Sequence, residues 1–280
     1  MREINLSVIT QNIKEMCIEA NHFLSDDMKK VFDRAVEEEE SPLGRQVLGQ
    51  LKENLAIAGK DMIPICQDTG MAVIFIKVGQ EVHFTGGSLT EAINEGVRQG
   101  YVDGYLRKSV VKDPIFRENT KDNTPAIIHY EIVEGDKVDI TVAPKGFGSE
   151  NMSRVFMLKP ADGIEGVKDA ILTAVRDAGP NACPPMVVGV GIGGTFEKCA
   201  LLAKKALTRN LDEESPVEYV RDLEKEMLTK INCLGIGPGG LGGVKTALAV
   251  NIETFPTHIA GLPVAVNICC HVNRHSHRSL

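Results

Sequence analysis

PICQDTGMAVIFIKV, residues 64 to 78, is the stretch on which the reading of this chain turns. It sets a thiol (Cys66), an amide (Gln67) and a carboxylate (Asp68) side by side. Thr69 and Gly70 follow, and then the apolar run MAVIFIKV (71 to 78) reads as a buried strand. A soft metal ligand beside hard polar groups at a strand's entrance is a place where a substrate can meet a metal. The structural alternative is a cysteine that is simply a small buried hydrophobe.

Ahead of this stretch the chain predicts a wall of three amphipathic helices. In the first, Ile9, Ile13, Met16, Ala20 and Phe23 follow a period near 3.6, with Ser7 as cap and Cys17 on the apolar face. Ser25 caps the second, which turns Met28, Phe32 and Ala35 inward; EEEE at 37 to 40 reads as its solvated end. The third places Leu43, Val47, Leu51 and Leu55 on one side and ends near Gly59.

Beyond the strand, Ser88 and Glu91 form a capping-box pattern opening a helix that leads into RKSVVKDP. Arg107, Lys108 and Lys112 there are either a solvated helix end or an anion site. AIIHYEIV and KVDITVAP flank Glu134-Gly135-Asp136 and predict a hairpin, which delivers APKGFGSEN (143 to 151) as a tight turn or a backbone cradle for a ligand. A helix from about Gly163 to Asp177 stops at Gly179-Pro180, followed by GPNACPPMVVGVGIGGT (179 to 195): Cys183 beside two prolines, a strand, a glycine loop and a helix capped by Thr195. Cys199, with Leu202, Ala203 and Ala206, belongs to that helix's apolar side. Gly189, Gly191 and Gly194 match GxGxxG, yet the position about 20 residues on, where a dinucleotide fold keeps its acidic residue, falls in the loop TRNLDEESP, so the required βαβ unit is missing.

A charged helix follows, with a possible lobe boundary near residue 212. CLGIGPGGLGGVKT (233 to 246) then packs six glycines ahead of a strand; Val244 stands where a phosphate-binding loop needs glycine before lysine, so the run serves to let backbone crowd against a ligand, a cluster or a partner chain. In the final strand Cys269 and Cys270 face opposite sides, so at most one can be a ligand. HVNRHSH reads as a solvated tail, with a metal site or a purification-tag remnant as alternatives.

The 280 residues, 43% of them hydrophobic, can bury a large core, and a net charge of −7 argues against a general nucleic-acid or anionic-membrane surface. With no apolar run long enough to span a bilayer and no export signal, the expected location is cytoplasmic. Seven cysteines, an odd number and widely scattered, argue against a disulfide framework, and with no CxxC pair zinc-ribbon and ferredoxin spacings are absent, so a metal site must be assembled from distant segments.

PICQDTG, GPNACPPMVVGVGIGGT, GIGPGGLGG and LPVAVNICCH together resemble the alpha subunit of the two-subunit iron-sulfur fumarate hydratase and L-tartrate dehydratase family, over nearly the whole chain. The resemblance implies that Cys66, Cys183 and Cys270 hold a [4Fe-4S] cluster with one iron left open as a Lewis acid. It further implies that Gln67, Asp68 and Arg107 contact a C4-dicarboxylate, with backbone near Gly148 helping and His258 reaching the site. Asp68 is assigned to the hydroxyl or leaving water, Gln67 to a carboxylate, and the catalytic base to a separate beta subunit.

The expected architecture is therefore mixed α/β: a helical N-terminal wall, then a sheet with flanking helices and strands converging on an iron-sulfur pocket, in one domain of 1–280. The expected function is reversible hydration of fumarate to L-malate in an α2β2 assembly, with L(+)-tartrate dehydration as the alternative. A nicotinamide-binding oxidoreductase subunit and a non-catalytic metal-binding scaffold are the rivals from other classes.

Overall fold

The computed structural model describes residues 1–280 and has a mixed α/β fold. In chain order the elements are β1 (Arg2–Asn5), α1 (Leu6–His22), α2 (Asp26–Glu38), α3 (Pro42–Asp61), β2 (Met71–Gly79), β3 (Val82–Thr85), α4 (Leu89–Asp103), β4 (Ile127–Val133), β5 (Val138–Lys145), the single turn α5 (Phe147–Glu150), β6 (Arg154–Leu158), α6 (Gly163–Ala178), β7 (Met186–Gly193), α7 (Phe196–Ala206), α8 (Glu218–Asn232), β8 (Ala247–Phe255), β9 (Leu262–Cys269) and β10 (Ser276–Ser279). Two compact units result: Met1–Ser25, Asn54–Gly146 and Arg274–Leu280 form one, Asp26–Glu53 and Phe147–Asn273 the other. Residue 212 lies inside the second unit, between α7 and α8.

The three N-terminal helices form where their periodicity places them, but their caps differ from expectation. Asn5 caps α1 by accepting from the Ser7 amide at 2.9 Å, so Ser7 is inside the first turn. Ser25 does not cap α2 through its side chain, since its hydroxyl is buried without a hydrogen-bond partner. On α3 the buried stripe runs through Leu48 and Ala58, flanked by half-buried Leu51 and Leu55, whereas Leu43 is exposed.

In the first unit β2 is the middle of a sheet ordered β10-β5-β2-β4. Its Ala72, Ile74, Ile76 and Val78 meet Val138, Ile140 and Val142 of β5, and α1 and α4 complete this core with Ile9, Ile13, Cys17, Ile93, Val97 and Tyr101. Full burial of side chains of this size contributes about 1.5–3 kcal/mol each. Cys17 is wholly buried, which pushes its thiol up to about 12. The expected hairpin does not form: β4 pairs parallel to β2 and β5 antiparallel to it, so β2 lies between the two. Glu134-Gly135-Asp136 does reverse the chain, but the strand richest in apolar residues takes both ladders.

The second unit is a sheet ordered β6-β9-β7-β8 with α6 and α8 on one face and α7 on the other. Strand alternation explains GVGIGG. Met186, Val188 and Val190 enter the α6/α8 core, while Gly189 and Gly191 point toward α7, where an added Cβ would lie 2.2 Å from the Ala203 carbonyl oxygen and 2.0 Å from that of Cys199. These glycines seat a helix on a strand. A crossover is in fact present, since β7 and β8 are parallel neighbours joined through α7 and α8; what removes the dinucleotide reading is that its glycines are spent inside the strand. Thr195 occupies the N-cap of α7 without a capping bond, its hydroxyl going to Glu197 instead.

Candidate active site

Cys66, Gln67 and Asp68 occupy the turn between α3 and β2, with Cys66 and Asp68 half-buried and Gln67 exposed. The Asp68 amide donates to Cys66 Sγ at 3.4 Å, and Asp68 Oδ1 accepts from the Gly70 amide at 3.0 Å. Thr69, 1% exposed, clasps the main chain of Arg107 both ways: its hydroxyl donates to the Arg107 carbonyl at 3.2 Å and accepts from the Arg107 amide at 2.9 Å. This clasp places Arg107 beside the Cys66 turn. The Arg107 guanidinium is exposed and makes no ion pair, whereas Lys112 of the same basic run is bound by Glu118 at 2.6 Å.

Buried side chains hold this turn from below. Tyr101 Oη donates to the carbonyls of Thr69 (2.8 Å) and Gly70 (3.1 Å), and burial drives its phenol far above the ordinary tyrosine range. Asn123, fully buried, donates to the Gly70 carbonyl at 3.1 Å while its own carbonyl accepts from the amides of Ser109 and Val110. Arg274 Nη2 donates to the Asp68 carbonyl.

In the second unit Cys183 is exposed and left-handed, at φ 51 and ψ 63. Its amide donates to the Pro180 carbonyl at 3.1 Å, and its carbonyl lies 3.0 Å from His271 Nδ1, which must carry the proton there because a carbonyl only accepts. Cys270 immediately precedes His271, so Cys183 and Cys270 come to the same end of the sheet. Cys269 pairs with Val187 and is buried, in keeping with the alternation of neighbouring side chains. The glycine run backs the Cys183 turn: the Gly239 amide donates to the Pro184 carbonyl at 2.9 Å, and Gly240, at φ 74, would drive a Cβ to 2.3 Å from Pro180 Cβ. What the glycines crowd against is this chain itself.

His258 stands elsewhere. It is exposed in the turn between β8 and β9, accepts from the Ala260 amide at Nδ1 (3.1 Å), and so keeps its proton on Nε2. With Ile164, Ile192, Tyr219, Leu223 and Ile259 it lines an apolar groove of about 410 Å³. β9 leads away from it for eight residues before Cys270, which puts them at opposite ends of a strand about 25 Å long. Gly148 is exposed in α5 with no neighbour near its Cα hydrogens.

The sequence model of the fumarate hydratase (Fumerase) family matches residues 10–279. The chain belongs to this family. A putative L(+)-tartrate dehydratase subunit alpha of Methanocaldococcus jannaschii is 42% identical over 272 residues, covering 95% of each chain. The L(+)-tartrate dehydratase subunit alpha of Escherichia coli strain K12 is 31% identical over 256 residues, covering 90% of this chain and 84% of its own, and that of Shigella sonnei matches equally. Family and relatives together make this a hydro-lyase chain.

For a fumarate hydratase family chain the disposition of thiols matters. None of the seven cysteines forms a disulfide; Cys17, Cys199 and Cys269 are buried, while Cys66, Cys183, Cys233 and Cys270 retain exposure. No group of three or more His, Cys, Asp or Glu side chains is placed to hold a metal ion. Taken one by one, Cys66, Cys183 and Cys270 are each an accessible thiol on a turn or strand end, and Cys233 an accessible one at the end of α8; thiols of this kind have the chemistry of iron-sulfur ligands, which a packed core cysteine does not. No helix is long and apolar enough to cross a membrane.

Two further expectations change. The tail is not solvated: Asn273 and Arg274 are buried, and β10 adds to β5 at the sheet edge. Glu39 of the EEEE run is not a solvated end but fully buried, accepting from the amides of Ser41, Val244 and Lys245. Sequence reasoning does not find Arg274, Tyr101 or Asn123; the alternation within HSHRS starts one residue after Arg274 and is too short to separate a strand from a tail.

Proposed function

We propose that this chain is the alpha subunit of an iron-sulfur hydro-lyase that, with a separate beta subunit, adds water reversibly to fumarate to give L-malate. The observation that carries this reading is the Thr69 clasp, which ties the main chain of Arg107, an exposed arginine with no ion pair, to the turn that carries Gln67 and Asp68. A C4 dianion needs charge-assisted partners, and a guanidinium offers a bidentate fork to one carboxylate. Gln67 donates its amide N–H to a carboxylate, and Asp68 accepts from the substrate hydroxyl or the leaving water. A [4Fe-4S] cluster on Cys66, Cys183 and Cys270 would supply a Lewis-acidic iron with no protein ligand. The proton at carbon is taken by a base of the beta subunit.

His258 stands at the far end of β9 from Cys270, so this reading gives it no contact with the Cys270 end of the strand; the α2β2 assembly is part of the proposal because symmetric closure is the common solution. Cytoplasmic residence suits a cluster exposed through reduced thiols.

The names borne by the relatives favour a second reading, dehydration of L(+)-tartrate to oxaloacetate, for which the same three side chains serve. Co-expression with the beta subunit, anaerobic reconstitution and turnover assays on fumarate, malate and tartrate decide between them. Absorbance near roughly 400 nm, the expected signature of thiolate-ligated iron-sulfur centres, separates both from an oxidoreductase subunit or scaffold. Absence of that band together with absence of turnover on every C4 acid would overturn the proposal.

A further inference from the structure

Arg274 is 3% exposed, and of its three guanidinium nitrogens only Nη2 has a partner, the Asp68 carbonyl oxygen; Nε and Nη1 are buried with none. No carboxylate pairs with it, unlike Arg278 on the same segment, which is bound by Glu15 and Glu19. A buried cation without an acid partner is among the most costly arrangements a fold can keep, and replacing it by an apolar side chain would ordinarily improve stability. Its location explains its retention. It lies under the turn that carries Cys66, Gln67 and Asp68, and the position of a Cβ on Gly146 would be 3.0 Å from Asp68 Oδ2 and 3.8 Å from Arg274 Nη2, so the Asp68 side chain and the guanidinium flank the same glycine. Tyr101, which bonds the next two carbonyls, feels both charges.

Resting on the hydro-lyase reading above, we infer that Arg274 is a positioning residue for the reaction. Its Nη2 holds the Asp68 carbonyl, and so the course of the main chain from which the Asp68 carboxylate and the Gln67 amide project. It is not placed to touch substrate, since Nε and Nη1 are buried and the whole residue is 3% exposed.

The experiment uses the co-expressed, reconstituted alpha-beta protein and the variants Arg274→Met, Arg274→Lys and, as control on the same segment, Arg278→Met. Arg274→Met is expected to lower kcat about 100-fold, the scale set by an ångström's misplacement of a reacting group, with iron content and KM within about threefold of wild type. Arg274→Lys should recover part of the loss and Arg278→Met should show none. Amide hydrogen exchange should quicken in Arg274→Met across residues 66–70 and not along β2. Equal losses in Arg274→Met and Arg278→Met, or a loss of kcat no larger than the loss of iron, would reduce Arg274 to an anchor of the tail and overturn the inference. Should the wild type turn over no C4 acid, the hydro-lyase reading fails by itself; the exchange measurement still decides, because unchanged protection at 66–70 would overturn positioning too. If Arg274→Met fails to fold, Arg274→Lys and Arg274→Gln carry the same comparison.

Discussion

Two cysteine turns in this chain are made rigid by opposite means. The Cys183 turn is fixed chiefly by backbone shape, with the His271 ring bonded to its carbonyl: prolines on both sides, a left-handed cysteine, and a glycine run that lets main chain reach Pro180 and Pro184. The Cys66 turn is fixed by side chains brought from Tyr101, Asn123 and Arg274, and by the Thr69 clasp on Arg107. A shape-fixed turn presents one ligand in one direction. On the hydro-lyase reading proposed above, a turn fixed through polar side chains can present a ligand and also bring an arginine and a carboxylate to it, which would suit the part of the site that binds substrate.

The sharpest way to break this comparison is at the thiols. Cys66→Ser, Cys183→Ser and Cys270→Ser should each abolish a stable cluster and turnover, because a hard hydroxyl is a poor ligand for an iron-sulfur centre, whereas Cys269→Ser should keep more than about half of the iron. Iron analysis after anaerobic reconstitution checks this; equal loss in Cys269→Ser would mean the wrong neighbour was chosen. Next in size, Arg107→Lys should keep the cluster yet lower kcat/KM by about 10- to 100-fold, since lysine retains the charge but not the fork. Unchanged steady-state kinetics would return Arg107 to an ordinary solvated face.

The same contrast explains what was legible. The Cys183 turn announces itself locally, since prolines and glycines act on their immediate neighbours, and the helices and buried strands follow from periodicity alone. The polar network around Cys66 does not: Arg274 follows Asp68 by 206 residues, and nothing in a histidine-rich tail says that its arginine is buried. The hairpin error has the same origin, because Glu134-Gly135-Asp136 marks a reversal of the chain but not which strand inserts between its arms. His258 carried a role by resemblance, and only the strand register places it at the far end of β9 from Cys270.

Gly240→Ala sharpens the comparison at the level of stability. At φ 74 and 2.3 Å from Pro180, the new methyl forces both a left-handed alanine and an overpacked contact, so a loss of about 3 kcal/mol is expected. Thermal or denaturant unfolding measures it, and the damage should be read in the Cys183 turn first. A variant as stable as wild type would mean that the glycine run yields easily and that backbone shape is not what holds Cys183.

The smallest expected effect comes from the carboxylate behind that glycine run. Burial pushes Glu39 up, but the amides of Ser41, Val244, Lys245 and Glu40 together pull it below its ordinary value of 4.5. A carboxylate whose folded value is depressed stabilises the fold fully above its unfolded value, and that stability is lost as pH falls through the folded one. The contribution of Glu39 should therefore be constant from neutrality down to about pH 5 and fade below it. Glu39→Gln offers one acceptor oxygen in place of two and turns an NH2 toward an amide donor, so it should cost about 2 kcal/mol at pH 7. Below pH 4 the difference from wild type should shrink, since the wild-type carboxyl is then losing its charge as well. Denaturant midpoints of both proteins between pH 7 and pH 3.5 test this; a gap that stays constant over that range would show that the Ser41, Val244 and Lys245 amides do not depend on the charge of Glu39, and that the glycine run holds its shape unaided.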